Sequence, residues 1–383
     1  MARVSVNRDV LLWALQRSRK SRSELEKQFP KLDEWLAGKR LPTLRQLEDL
    51  ASATATPLGY FFLDTLPEEP TPIPYYRTVR DELTDEPSVD LLDTIHTMQR
   101  RQAWMREYLQ EEGHDKLPFV GSAPLSEPVA SVANRMRRVL RLRDEWAAEY
   151  PSWSEALRAL RGAMEDAGIL AVINGVVGNN THRRLDPTEF RGFVLVDEYA
   201  PLVFVNGADS KAAQMFTLAH ELAHIFYGRS AAFDLRQMLP AKDDIEQACD
   251  RAAAEFLVPE DSLRRFWRAL PRETTPFQGI ARQFKVSELV AARRALDLGL
   301  IDKSEFIGFY HDYQARVRSD GTRDQGGNFY SNQDARVGRR FFRAVFEAVQ
   351  EGRLLFSEAY DLTQLYGKTF DRYAASLGLG SAY

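Results

Sequence analysis

Two histidines four residues apart, with a glutamate beside the first, stand in the stretch QMFTLAHELAHIFYG (214–228): His220, Glu221 and His224. On an α-helix both imidazoles project from one face, a turn apart, and can reach the same cation. Glu221 is turned about 100° further round, close to such a cation without ligating it, where it can take a proton from an activated water. A catalytic zinc site uses three protein ligands and keeps one position open. The third should come from DDIEQACDRAAAEFLVP (243–259), where Glu246 and Asp250 share a helical face and Glu255 falls on another. Glu246 is the expected ligand. Asp243 and Asp244 are its rivals, at a helix start where acidic residues also serve the helix dipole. Asp250, one turn on from Glu246, is placed to accept the N–H of a ligand histidine and fix its tautomer. The single cysteine, Cys249, excludes an internal disulfide and a cysteine-rich zinc site, leaving His and carboxylate to hold a metal. That donor set suits Zn2+ by ligand type, with Mn2+ the alternative where supply overrides preference.

The elements that position these groups can be read from periodicity and punctuation. The apolar, β-branched run ILAVI (169–173) and the segment FRGFVLVDEYAPLVFVNG (190–207) predict strands, the latter two strands joined by a turn. Asp209 or Ser210 caps the helix carrying His220, and a second helix runs from Asp244 to Leu257, stopped at Pro259. Before the strands lie helical patterns over 88–112, 127–143 and 152–167, the last closed by Gly168. Residues 7–63 are short amphipathic pieces, and LPEEPTPIPYY (66–76) is a proline-rich connector that cannot donate backbone hydrogen bonds at its prolines. The division expected is 1–65, a linker over 66–86, a helical lead-in and catalytic core over 87–270, and a helical C-terminal region over 271–383. The fraction of apolar residues, 44%, and of charged ones, 28%, describes an ordinary globular chain, and no apolar run is long enough to span a bilayer. The N-terminus lacks the apolar core and cleavage site of a signal peptide, which places the protein in the cytoplasm. A net charge of −4 argues against a surface uniformly dressed for nucleic acid.

FTLAHELAHIFYG together with IEQACDRAAAEFLVP resembles the ImmA/IrrE metallopeptidases, a gluzincin-like family marked by FTxAHELGH and a downstream ExxANxFAxxLLxP helix. The likeness runs from the strands near 190 through Pro259. It implies an α+β, mostly helical fold: a zincin-like core with a small sheet, preceded by a helix-turn-helix-like bundle and followed by helices. It also implies His220, His224 and Glu246 as metal ligands and Glu221 as general base. Ala223, Cys249 and Ala252 depart from the family pattern at packing positions only. The chemistry implied is metal-assisted peptide hydrolysis, with Tyr227, His182 and Tyr199 the candidates for the oxyanion and strand 190–196 or 202–206 available to hold a peptide as an added strand.

SRSELEKQFPKLDEWLAGKRLPTLRQLEDLASATATPLGYFF (21–62) resembles the helix-turn-helix domain of XRE-type regulators, chiefly from Trp35 to Leu47. Nine residues separate Leu25 from Trp35, about four fewer than those regulators usually carry, which removes about one helical turn. Arg17, Arg19, Lys20, Arg22, Lys39 and Arg40 could contact DNA or a protein partner, while Asp33 and Glu34 would repel phosphate. A second helix-turn-helix outline at 280–301 is assigned to completing the core or shaping access to it. The segment 326–352 reads as one amphipathic helix after a loop, with Arg336, Arg339, Arg340 and Arg343 on a basic interaction face. The family resemblance implies a regulatory endopeptidase that cuts one cognate protein, such as a transcriptional repressor or a toxin-system component. The rival is a non-hydrolytic antitoxin or regulator that binds a partner protein or DNA. The complete set of His220, Glu221, His224 and Glu246 favours the first.

Overall fold

The computed structural model describes residues 3–18, 20–67, 87–229, 231–233, 244–269, 276–319 and 329–380, with backbone alone at 231–233, 317–319 and 329–332. Most of the proline-rich connector, Arg19, Asp243 and the centre of the 319–333 loop lie outside these residues. The described residues up to 67, with 87–93, form one compact unit, and those from Thr94 onward form a second.

The first unit contains α1 (Arg8–Arg17), α2 (Arg22–Gln28), α3 (Leu32–Leu36), α4 (Leu44–Thr54) and a 3-10 turn at Leu58–Phe62. Its helix starts are written in the sequence: Asn7, Ser21 and Thr43 each accept a backbone N–H, and Ser21/Glu24 and Thr43/Gln46 close capping boxes. Val10, Leu11, Leu25, Leu32, Leu47, Leu50 and Phe61 are fully buried at its centre. The short spacing between Leu25 and Trp35 yields only a five-residue α3.

The second unit is built on a four-stranded sheet of order β1-β5-β4-β6: β1 (Leu170–Asn174), β4 (Gly192–Leu195), β5 (Leu202–Asn206) and β6 (Ala231–Phe233). β1 runs parallel to β5, Leu170 opposite Leu202. β4 is antiparallel to both β5 and β6, with Gly192 opposite Val205 on one side and Phe233 on the other. Because β1, β4 and β5 are buried along their whole length, their sequences are continuous apolar runs instead of alternating ones. A separate hairpin, β2 (Val176–Val177) and β3 (Asn180–Arg184), went unpredicted. Neither strand offered above as a peptide-binding edge has a free side. β5 is flanked by β1 and β4, and β4 by β5 and β6, because the ILAVI strand pairs with β5 and the chain beyond α8 (Lys211–Tyr227) returns to pair with β4.

Helices α5 (Val89–Glu111), α6 (Val129–Val139) and α7 (Trp153–Asp166) precede the sheet, and α8, α9 (Asp244–Leu257) and α10 (Glu260–Ala269) follow it. The same hydrophobic core continues through α11 (Pro276–Phe284) and α12 (Glu288–Asp297), burying Phe277, Ile280, Phe284 and Ala291 against it. Beyond α13 (Lys303–Ser319) come α14 (Phe329–Val337), α15 (Arg339–Gln350), α16 (Phe356–Thr363) and α17 (Lys368–Ser376). The segment expected as one helix is thus two, broken at Gly338, whose φ of 84° suits glycine alone. The break also divides the expected basic face. Arg336 donates to Asn179 at 3.2 Å, Arg339 pairs with Asp334, Arg340 is half-buried, and Arg343 is exposed. Arg101 of α5, 4% exposed, donates to the carbonyls of Leu362 (2.7 Å), Thr363 (3.3 Å) and Arg336 (2.8 Å), joining the ends of α14 and α16 to α5. Among the described residues no helix is long and apolar enough to cross a membrane.

Candidate metal centre

The helix carrying the histidines is fixed at both ends. Ser210 caps its start by accepting the Ala213 N–H, and Gly228, at φ 72°, closes it. The carbonyls of Ile225 and Phe226, left over at the C-terminus, accept the N–H groups of Gly121 and Ala123 at 2.9 Å each. Every residue from Gln214 to Tyr227 is buried, so beyond its first turn α8 is a central helix with no solvent face. It lies against β4, β5, α6, α7 and α9.

Within that core His220, His224 and Glu246 converge, one ligand atom from each within 4.8 Å of the others. The two Nε2 atoms are 3.1 Å apart, and the Glu246 carboxylate lies 3.1 Å from His220 Nε2 and 3.2 Å from His224 Nε2. Asp250 Oδ1 stands 3.0 Å from His220 Nδ1. With Asp250 accepting the proton at Nδ1, His220 Nε2 is left facing the cluster, where its lone pair can take a metal ion in place of a second proton. A carboxylate has only lone pairs to offer, so the cluster is a convergence of acceptors that needs a cation among them. Donors about 2 Å from a tetrahedral zinc ion sit about 3.3 Å from one another, and the three separations above match. The residues present therefore fit a divalent metal.

Electrostatics point the same way. Burial alone would lower the His220 pKa, but the Asp250 and Glu246 carboxylates push it up to about 10. Burial would raise Glu246, yet the two imidazoles hold it well below the usual carboxylate range. His224 is lowered by its burial. The pocket thus favours positive charge at the point where the ligand atoms meet. Glu221 differs from its neighbours: it is fully buried, neither oxygen has a hydrogen-bond partner among the described residues, and burial raises its pKa well above that of an ordinary glutamate. An unpartnered buried carboxylate is costly and calls for a functional explanation.

Gly192 of β4 lies directly over that carboxylate. A Cβ built on it would meet Glu221 Oε1 at 3.1 Å, the Phe204 carbonyl oxygen at 2.8 Å and Thr217 Cγ2 at 2.5 Å. The sequence reading did not single this glycine out, although a glycine inside a strand is a signal of close approach.

The other candidate residues are dispersed. His182 is exposed on β3, Tyr199 sits in the β4–β5 turn at the end of β4 away from Gly192, and Tyr227 is in the last turn of α8, its hydroxyl raised to about 12 by burial. Asp244 opens α9. In the first unit, four of the named cations are engaged locally: Arg17 with the Ala55 carbonyl, Lys20 with Gln28, Arg22 with Glu26 and Asp33, and Arg40 with Glu34 at 3.6 Å. Asp33 and Glu34, expected to repel phosphate, serve as counter-ions to Arg22 and Arg40. Lys39 is exposed.

Residues 164–296 match the IrrE N-terminal-like domain of the M78 peptidases. Residues 337–376, covering α15 to α17, match a domain of unknown function, DUF8813. A search of curated proteins gave no match. The matched span opens in the last turn of α7, takes in the sheet, α8 and α9, and ends in α12, so it contains His220, His224 and Glu246. Over residues 164–296 the chain is a metallopeptidase domain of the ImmA/IrrE family.

Proposed function

We propose that this protein is a regulatory zinc-dependent endopeptidase that cleaves one cognate protein partner, with His220, His224 and Glu246 as ligands and Glu221 as general base. A divalent ion held by those ligands supplies a Lewis acid that polarises the scissile carbonyl and makes water nucleophilic at neutral pH. Glu221 takes the proton of the attacking water on a carboxylate oxygen and delivers it to the departing amine. Its burial makes it a stronger base than an exposed glutamate, suited to moving a proton near neutrality. Asp250 fixes the His220 tautomer so that Nε2 faces the ion. The observation carrying the reading is the pairing of a complete His, His, Glu donor set with a separate buried carboxylate that has no hydrogen-bond partner among the described residues.

The restriction to one partner is supported by the absence of a free side on β4 and β5, which leaves the strands over Glu221 closed to indiscriminate strand addition. A repressor or a toxin-system component is the class of partner proposed, and contact with it or with DNA is assigned to the first unit. The test has two stages. Purified protein should contain near-stoichiometric zinc that is lost in His220→Ala and Glu246→Ala and kept in Glu221→Gln. Labelling of new protein N-termini in cells expressing the wild type, but not Glu221→Gln, should then reveal a single cleaved partner. Metal binding with identical N-termini in the two strains would favour the non-hydrolytic regulator instead.

A further inference from the structure

The third ligand of the centre arrives on α9, and this helix is held at the end remote from Glu246. Arg137 of α6 and Arg294 of α12, 3% and 8% exposed, converge on its last turn. Arg137 Nη1 donates to the carbonyls of Glu255 (2.9 Å) and Phe256 (3.0 Å), and Nη2 to Asn134 Oδ1 (2.5 Å), while Nε faces Asp144 at 3.0 Å. Arg294 Nε donates to the carbonyl of Val258 at 3.1 Å and Nη2 pairs with the Glu255 carboxylate. Burial lowers the pKa of both guanidinium groups. Capping alone needs one donor group or a glycine. Here two buried cations are spent on one helix end.

The face of α9 explains why. Its buried residues in the second and third turns are Ala248, Cys249, Ala252 and Ala253, and the helix packs on α8 and α6. Small side chains form shallow ridges, and ridges set how one helix registers along another. A shift of one residue moves a helix by about 1.5 Å, most of a bond to a metal ion. The bulky Phe256 and Leu257 lie at the clamped end, so what locates Glu246 along the axis is concentrated there.

We propose that Arg137 and Arg294 are positioning residues for Glu246: they set the axial register of α9 and thereby hold the carboxylate opposite His220 and His224. The proposal rests on the reading of Glu246 as a metal ligand. It is tested in the full chain by measuring Zn2+ affinity in competition with a chromophoric chelator. Arg137→Met, Arg294→Met and Arg294→Lys are each made in the wild-type and the Glu246→Gln background, with circular dichroism of the metal-free proteins as the control for folding. Each methionine variant should weaken zinc binding about tenfold or more, and the lysine variant should fall between. In the Glu246→Gln background the same changes should have no further effect, because the group they position no longer ligates. Unchanged zinc affinity in the arginine variants, with binding still weakened by Glu246→Gln, overturns the positioning role and leaves the ligand assignment standing. Equal losses in both backgrounds overturn it too, marking the arginines as general stabilisers. If Glu246→Gln binds zinc as tightly as the wild type, the ligand assignment fails and the proposal with it. Should a methionine variant not fold, the lysine variant carries the same comparison.

Discussion

Replacing Gly192 with alanine should damage the protein by a route that can be worked out atom by atom. The added methyl would stand 2.5 Å from Thr217 Cγ2, 2.8 Å from the Phe204 carbonyl oxygen and 3.1 Å from Glu221 Oε1. Two carbon atoms at rest are about 3.5–4.0 Å apart, so the Thr217 methyl must give by about 1 Å. Both neighbouring elements are packed: Thr217 and Glu221 are buried on α8, and Phe204 is on a strand paired on both sides. Overpacking of this kind costs about 1–3 kcal/mol, read as a lower urea midpoint for the full chain at unchanged slope. Thr217→Ser deletes the closest atom while keeping the hydroxyl, so in the Gly192→Ala background it should restore about 1 kcal/mol of that loss. Zinc content should not change, since none of the three atoms nearest the added methyl belongs to His220, His224 or Glu246. At 3.1 Å the Glu221 carboxylate need give by only about 0.3 Å, so the rate against a cleavable partner should fall by much less than the about hundredfold loss that a 1 Å misplacement brings. Stability within about 0.5 kcal/mol of wild type for Gly192→Ala, or a serine change that adds to the damage, would refute this account of the contact.

Other outcomes follow from the same contacts. Asp250→Asn should weaken zinc binding by about 10- to 100-fold with little change in secondary structure, as seen by chelator competition. Glu221→Gln should bind zinc like the wild type while abolishing cleavage, and loss of zinc there would place Glu221 among the ligands instead. Arg101→Met strands the carbonyls of Leu362, Thr363 and Arg336 and should destabilise the chain by about 3 kcal/mol in urea denaturation. With four of its named cations already engaged, the first unit should bind duplex DNA weakly, its log Kd against log salt showing a slope of magnitude about 2 or less in fluorescence anisotropy.

How far the sequence anticipates this arrangement depends on the range of each interaction. His220, Glu221 and His224 lie within two helical turns, and Glu246 and Asp250 within one, so their shared faces follow from helical geometry. Helix starts at Ser21, Thr43 and Ser210 are equally local, written by a side chain that caps its own helix. The pairing of β1 with β5 and of β6 with β4 joins segments whose apolar runs are interchangeable, so strand order was not legible and the edges were misassigned. β3 reads NTHRR, a polar run with no alternation to announce a strand. Gly338 carried a breaker signal that the strong amphipathic pattern on either side of it concealed. Arg101, Arg137 and Arg294 look like surface residues in composition. Their partners are carbonyls at distant helix ends, which leave no trace in residue type.

His224 and Glu246 have 21 residues between them and belong to different helices, so an ion held by both is a cross-link between distant parts of the chain. Binding that exists only in the folded state adds its free energy to folding, about 2.7 kcal/mol when the free ion is at a hundred times its Kd. Folding stability is then a function of metal supply, and so is the fraction of molecules open to degradation. Ion scarcity would then lower the amount of folded protein itself.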